Sequence, residues 1–279
     1  MNMKRDHVEK VFHAYTSNYD LSDDKIRLKA EHTLKVAANC ETIAKSLSLS
    51  KEDVDLAWLI GMLHDIGRFE QIRRYHTFSD ALSVDHAALG VEILFLDGKI
   101  REYLPEFTEE EFLTVAGDNR SDENEKKPTD LQILKTAIAY HSAFLLPEDM
   151  EERTRMFSQI IRDADKVDIF RVNMEFPLES VYNTTTEEVK SCGATEQVIH
   201  DSLQHSTVLR AHKKTTADNV IGHISLVYNM VYPASFQLSL EQGFLQQLMD
   251  FRNENPKTNE AMEKISAEAL KYVREHAEE

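Results

Sequence analysis

The sequence predicts an all-α protein, and three observations carry that reading. Its 279 residues include only 8 Gly and 6 Pro, so turn-forming residues are sparse for a chain of this length. Apolar residues recur at spacings of three and four along most of it, which is the period of one helical face. No segment reads convincingly as a strand.

The first strong helix begins near Ser22 and runs towards Ser50. Ile26, Ala30, Leu34, Ala37, Ile43, Ala44 and Leu47 form its broad apolar stripe, and acidic residues in the first turn suit the positive end of the helix dipole. Ser50 then caps a second helix through Ser50-Lys51-Glu52-Asp53. Its apolar residues Val54, Ala57, Trp58, Ile60, Gly61 and Leu63 lead to His64, with Gly67 as the stop and Trp58 as core. Helical spacing returns over 79–95, 129–141 and 150–170, and these three helices carry His86, His141 and Asp165. The polar stretch 117–130 is expected to be an exposed, mobile loop that ends in Pro128 and a Thr129 or Asp130 cap.

The pattern weakens over 173–189. Helices are then expected from Glu187 to Leu203, Thr216 to Tyr232, Ser239 to Arg252 and Asn259 to His276, with no internal repeat. The apolar groups Val220, Ile224, Val227 and Met230, and Phe244, Leu245 and Leu248, are expected to pack on the core of the preceding helices. A cap over a site or a dimer surface is the alternative, so a homodimer stays open.

Composition narrows the function classes. With 42% hydrophobic and 29% charged residues the chain reads as cytosolic and globular, in one large domain or two small ones. Cys40 and Cys192 stand far apart with no C-x-x-C spacing, which argues against a disulfide framework and for a reducing compartment, the cytoplasm. A formal charge of −17 disfavours an extended nucleic-acid groove but leaves room for a local cationic pocket that holds one small phosphate. No run of about 18 apolar residues occurs, and the segment MNMKRDHVEKVF lacks a signal-peptide core, so no membrane partner is expected.

The segment GMLHDIGRF is the most informative. An imidazole followed directly by a carboxylate near a helix end offers two metal ligands at almost no loop-closure cost. His64–Asp65 gains weight from His32, which lies 32 residues earlier on a predicted helix, and from Asp165 in RDADKVD on a later one. Together EHTLKVA, GMLHDIGRF and DADKVD resemble the HD-domain superfamily over roughly residues 25–175.

The resemblance implies an HD-domain helical bundle over 1–175, with 176–279 as an additional C-terminal helical layer or part of one continuous domain. It implies metal ligation by His32, His64, Asp65 and Asp165. His86 and His141 extend the match to a two-metal centre in which Asp65 bridges both ions. The mixed N/O donor set suits one or two divalent transition-metal ions, Fe, Mn, Co, Ni or Zn, over an all-oxygen Mg or Ca cage.

Two ions about 3.5–4 Å apart could share Asp65, activate a water and clamp a phosphoryl oxygen. Hydrolysis of a phosphomonoester or phosphodiester of a small molecule, a nucleotide first, is therefore expected. Asp65 and Arg68 are the catalytic candidates. Arg68 falls one turn beyond Asp65 if the helix persists, placed to hold phosphate bidentately. Lys166 and His76 are further substrate-binding candidates, and His76 substitutes for His86 if the register has slipped. Asp168 is a candidate for orienting a ligand. Arg73 and Arg74 read as a solvated basic patch, and His200, His205, His212 and His223 do not read as a second metal site.

Two other functions stay open at this point. The six-ligand set also resembles HD-fold di-iron oxygenases, which cleave carbon bonds with O₂. A non-catalytic, metal-stabilised ligand-binding protein is the third reading, since catalytic folds are reused. An alarmone hydrolase is one substrate class within the first.

Overall fold

A computed structural model describes residues 3–116 and 127–278, and every segment of regular structure among them is helical. The chain divides into two compact units, Met1–Arg162 and Asp163–Glu279. No helix among the described residues is long and apolar enough to cross a membrane. Most of the stretch expected as a polar loop, 117–126, lies outside the described residues.

The first unit begins with α1 (Arg5–Thr16), α2 (Asp24–Ser46), α3 (Lys51–Leu63) and α4 (Ile66–Tyr75). It continues through α5 (His86–Val91), α6 (Ile100–Tyr103), α7 (Glu109–Ala116), α8 (Asp130–Tyr140) and the first part of α9 (Glu152–Glu175). The Asp23 carboxylate accepts from Lys25 N to start α2, and Ser50 accepts from Asp53 N to start α3, the cap read from the sequence. Thr129 and Gln132 form a reciprocal capping box on α8.

Helix α3 is buried on every side from Leu56 onward and forms the axis of this unit. It crosses α2 so closely that a Cβ on Gly61 would stand 2.6 Å from Ala37 Cα. An aromatic cluster seats α1 on α4, with Phe12 and Tyr15 edge-on to Phe69 at ring-centroid distances of 6.0 and 5.9 Å. Arg153 joins α8 and α9 to α3, with Nη2 2.9 Å from Asp130 and 2.5 Å from Asp53.

Several expectations change. The helix from Ser50 breaks at His64–Asp65 instead of running to Gly67, and α4 carries on to Tyr75. Gly67 is a contact residue, not a stop: a Cβ there would meet His86 O at 2.3 Å and Gly90 N at 2.6 Å. The helix expected over 79–95 is a short 3₁₀ turn, Asp80–Leu82, followed by α5 and a π turn over Glu92–Leu96. Asp85 sets the start of α5 by accepting from Ala87 N and Ala88 N. Leu34, placed on the apolar stripe, is exposed.

The second unit takes the rest of α9, then α10 (Leu178–Tyr182), α11 (Thr186–Ser191), α12 (Glu196–Leu203) and α13 (Ala217–Ile224). It closes with α14 (Pro233–Gln242), α15 (Phe244–Met249) and α16 (Pro256–Ala277). Met262, Ile265, Ala269 and Val273 give α16 a stripe at helical spacing, which packs with Val220, Ile221, Ile224, Val227, Leu245 and Leu248 into one core. Val167 and Phe170 of α9 belong to that core. The long helices expected over 187–203 and 239–252 are each split, the second at Gly243 with φ +73. Val227 and Met230 follow α13 in a 3₁₀ turn and its cap.

The Gly61 contact tests the α2–α3 crossing. Gly61→Ala should cost about 1–3 kcal/mol by overpacking, seen as a lower urea midpoint by far-UV circular dichroism.

Candidate metal centre

The break between α3 and α4 creates the centre. His64 ends α3 with helical backbone angles, while Asp65 (φ −105, ψ 16) leaves the helix and begins α4. Adjacent side chains thereby emerge from one joint into the interior. His32 arrives from the middle of α2, His86 as the first residue of α5, and His141 as the cap of α8. All five are buried, Asp65 at 2% exposure.

Their arrangement is two by two. Asp65 Oδ2 lies 3.6 Å from His32 Nε2 and 3.5 Å from His64 Nε2. Asp65 Oδ1 lies 3.5 Å from His86 Nε2 and 3.6 Å from His141 Nε2. His64, Asp65 and His141 bring three ligand atoms within 4.8 Å of one another.

Three rings are held from behind. His64 Nδ1 donates to Gly61 O at 2.7 Å, His141 Nδ1 to Ile138 O at 2.7 Å, and His86 Nδ1 to Asp80 Oδ2 at 2.8 Å. These acceptors place the ring proton on Nδ1 and leave the Nε2 lone pair facing inward. His86 Nε2 and His141 Nε2 then face each other at 3.0 Å. Two lone pairs at that distance repel unless a positive centre lies against them. Burial first, and the Arg68 charge next, push the His86 pKa down to about 4, so this ring is neutral near pH 7. A buried set of inward-facing imidazole nitrogens around one carboxylate fits a divalent transition metal.

The carboxylate is ionised. Burial works against its charge, but Lys29 and then His64 hold the Asp65 pKa well below the usual carboxylate range. Lys29 Nζ stands 2.6 Å from Asp65 Oδ2 and 5.3 Å from the centre of the Phe78 ring. The sequence reading missed Lys29. The available signal was its position three residues before His32, on the same face of α2.

Arg68 is fixed more firmly than expected. Its Nη1 donates to Gln71 Oε1 and Phe78 O at 2.7 Å and to Asp80 Oδ1 at 2.9 Å. Its Nε lies 3.7 Å from Asp65 Oδ1 and is a buried donor without a hydrogen-bond partner. Asp80 thus ties Arg68 to His86, a link that no sequence spacing reveals. Arg162 clamps the chain after His141 by donating to Ala143 O and, at 3.0 Å, to Phe144 O.

The remaining candidates are carried by the end of α4 and by α9. His76 caps α4 in the left-handed region (φ 55), is exposed, and its carbonyl accepts from Lys25. Arg73 and Arg74 are exposed and both pair with Glu70. In the second unit, Asp165 is half-buried, Lys166 is buried, and Asp168 accepts Arg171 bidentately at 2.7 and 2.8 Å. The Asp165 charge is felt by His223 of the same unit.

The family model of the HD domain matches residues 30–169, just over half of the chain, and the protein belongs to this superfamily. No curated protein and no solved structure matches it. HD domains bind divalent metals, and their proteins are commonly metal-dependent hydrolases.

Asp80 gives the centre a test. Asp80→Ala releases His86 Nδ1, and affinity for Mn²⁺ or Co²⁺ should fall by about 10–100-fold in a direct metal titration.

Proposed function

We propose that this HD-domain protein is a metal-dependent phosphohydrolase that acts on a phosphomonoester or phosphodiester of a small molecule, a nucleotide first. One observation carries the reading: four imidazoles are shared two and two between the oxygens of Asp65. That division is what a carboxylate bridging two ions requires. His32, His64 and Asp65 Oδ2 would hold one ion, with Asp165 as the further ligand that the family motif implies. His86, His141 and Asp65 Oδ1 would hold the other.

When bound, such ions supply Lewis acidity towards a phosphoryl oxygen and lower the pKa of an attacking water. The chain's own contribution is electrostatic and positional. Arg68 is anchored through Nη1, which leaves its buried Nε donor available to a phosphoryl oxygen. Lys29 brings a second positive charge to the same carboxylate. Lys166 is a further candidate for the anion, while His76, exposed at the end of α4, has less support.

The di-iron oxygenase reading draws on the same donor arrangement and is separated by experiment. Full-length protein loaded with Mn²⁺, Co²⁺ or Fe²⁺ should release phosphate or a nucleoside product from a panel of nucleotides and phosphodiesters. Asp65→Ala should abolish this, and Arg68→Leu should lower kcat/KM by about 10²-fold or more. Substrate-dependent oxygen uptake with iron and none with manganese would assign the oxygenase instead.

A further inference from the structure

The second unit contains a cationic cluster that the reading above leaves unused. It lies in Arg210-Ala211-His212-Lys213-Lys214, just before α13. Lys213 runs flat against that helix: a Cβ on Gly222 would stand 2.4 Å from Lys213 Cε and 2.5 Å from its Nζ. Any other residue at 222 would push the ammonium out of its place.

Within the cluster His212 is paired with Asp201 at 2.5 Å, but nothing among the described residues is paired with Arg210 or Lys213. The side chains of Arg210 and Lys213 make no hydrogen bond or ion pair there, in a chain where 49 acids face 32 cations. The acid that acts on Lys213 is Asp218, whose oxygens are taken by Thr195 N and Oγ1, Lys214 N and Thr215 N at 2.6–2.9 Å. Lys213 is half-buried, and burial first, with Arg210 second, pulls its pKa down to about 8. A lysine kept here only for packing would be better replaced by methionine, because desolvating an ammonium without a partner costs stability.

Beside it, His223 of α13 is fixed in one tautomer. Asn173 Nδ2 donates to Ile169 O at 2.7 Å, which orients the amide so that Oδ1 lies 2.9 Å from His223 Nδ1. The carbonyl oxygen only accepts, so Nδ1 carries the proton and Nε2 is the acceptor. Tyr182 OH braces the same pair by donating to Asn173 Oδ1, 3.0 Å from the ring nitrogen. His223 feels both the Lys213 and the Asp165 charges, so the cationic cluster and the candidate metal ligand act on the same ring.

We infer that Lys213, Arg210 and His223 form a phosphate-holding pocket of the second unit, with the ammonium and guanidinium on the phosphate oxygens and His223 Nε2 accepting from a neighbouring hydroxyl of the ligand. Naming that phosphate as part of the substrate rests on the phosphohydrolase reading. The pocket itself rests only on the unpaired cations and the Gly222 contact. A phosphate next to a hydroxyl is the pattern of a phosphorylated sugar, which also fits a nucleotide.

The test is calorimetric titration of the full-length protein with inorganic phosphate, in an Asp65→Asn background so that the metal centre does not contribute. Lys213→Met should weaken phosphate binding by about tenfold or more, as loss of a charge-assisted contact requires, and should raise the melting temperature. Gly222→Ala should weaken phosphate binding in the same way while the helical signal is kept. Unchanged phosphate affinity in Lys213→Met, no phosphate binding in the Asp65→Asn background, or equal affinity for acetate would overturn the pocket. Failure to find any hydrolysed phosphoester would instead sink the hydrolase reading and leave this titration's answer standing.

Discussion

An ionised carboxylate enclosed by four imidazoles governs the first unit. Burying such a group costs several kcal/mol unless positive charge and hydrogen bonds offset the loss of water. Asp65 is compensated by Lys29 and Arg68, and acceptors behind His64, His86 and His141 keep the Nε2 atoms of these rings turned towards it. Apart from α2, which presents His32 from its middle, the helices that reach this point do so where a side chain can be aimed: a joint, a first turn, a cap. The loops that follow are stitched down by Asp80 and Arg162, so the aim is kept by groups that never touch the carboxylate.

His32, His64, Asp65, His86 and His141 were legible because each sits in a helical context, and the resemblance supplied the reason to group them. The structure brings these five together in the first unit. Lys29 and Asp80 were not legible. A basic residue on a helix face is common, and Asp80 works from a 3₁₀ turn across six residues, a spacing that no helical period marks. Helix α3 misled for a related reason: Ile66 and Phe69 continue its apolar spacing, so periodicity gave no sign that the axis changes at Asp65.

The second unit was harder to read. Its helices α10 to α15 are ten residues or fewer, too short for a hydrophobic period to fix their ends, and several stop at conditions set by neighbours. Asp163 is one such condition, since its Oδ2 accepts from Val231 N, Tyr232 N and Ser235 Oγ, all at 2.9 Å, and so starts α14. The long stripe of α16 was the legible part, because four turns of it lie against one core.

The contact between Gly67 and the first residue of α5 reaches further than packing. Main-chain atoms have no rotamers, so the His86 ring inherits its place from a backbone that cannot yield. His141 is different, standing where α8 gives way to an irregular stretch before α9. What directly follows it is tied down by one side chain, Arg162, on the carbonyls of Ala143 and Phe144. The His141 side can therefore be loosened by a single substitution at Arg162, whereas His86 is displaced only by moving backbone.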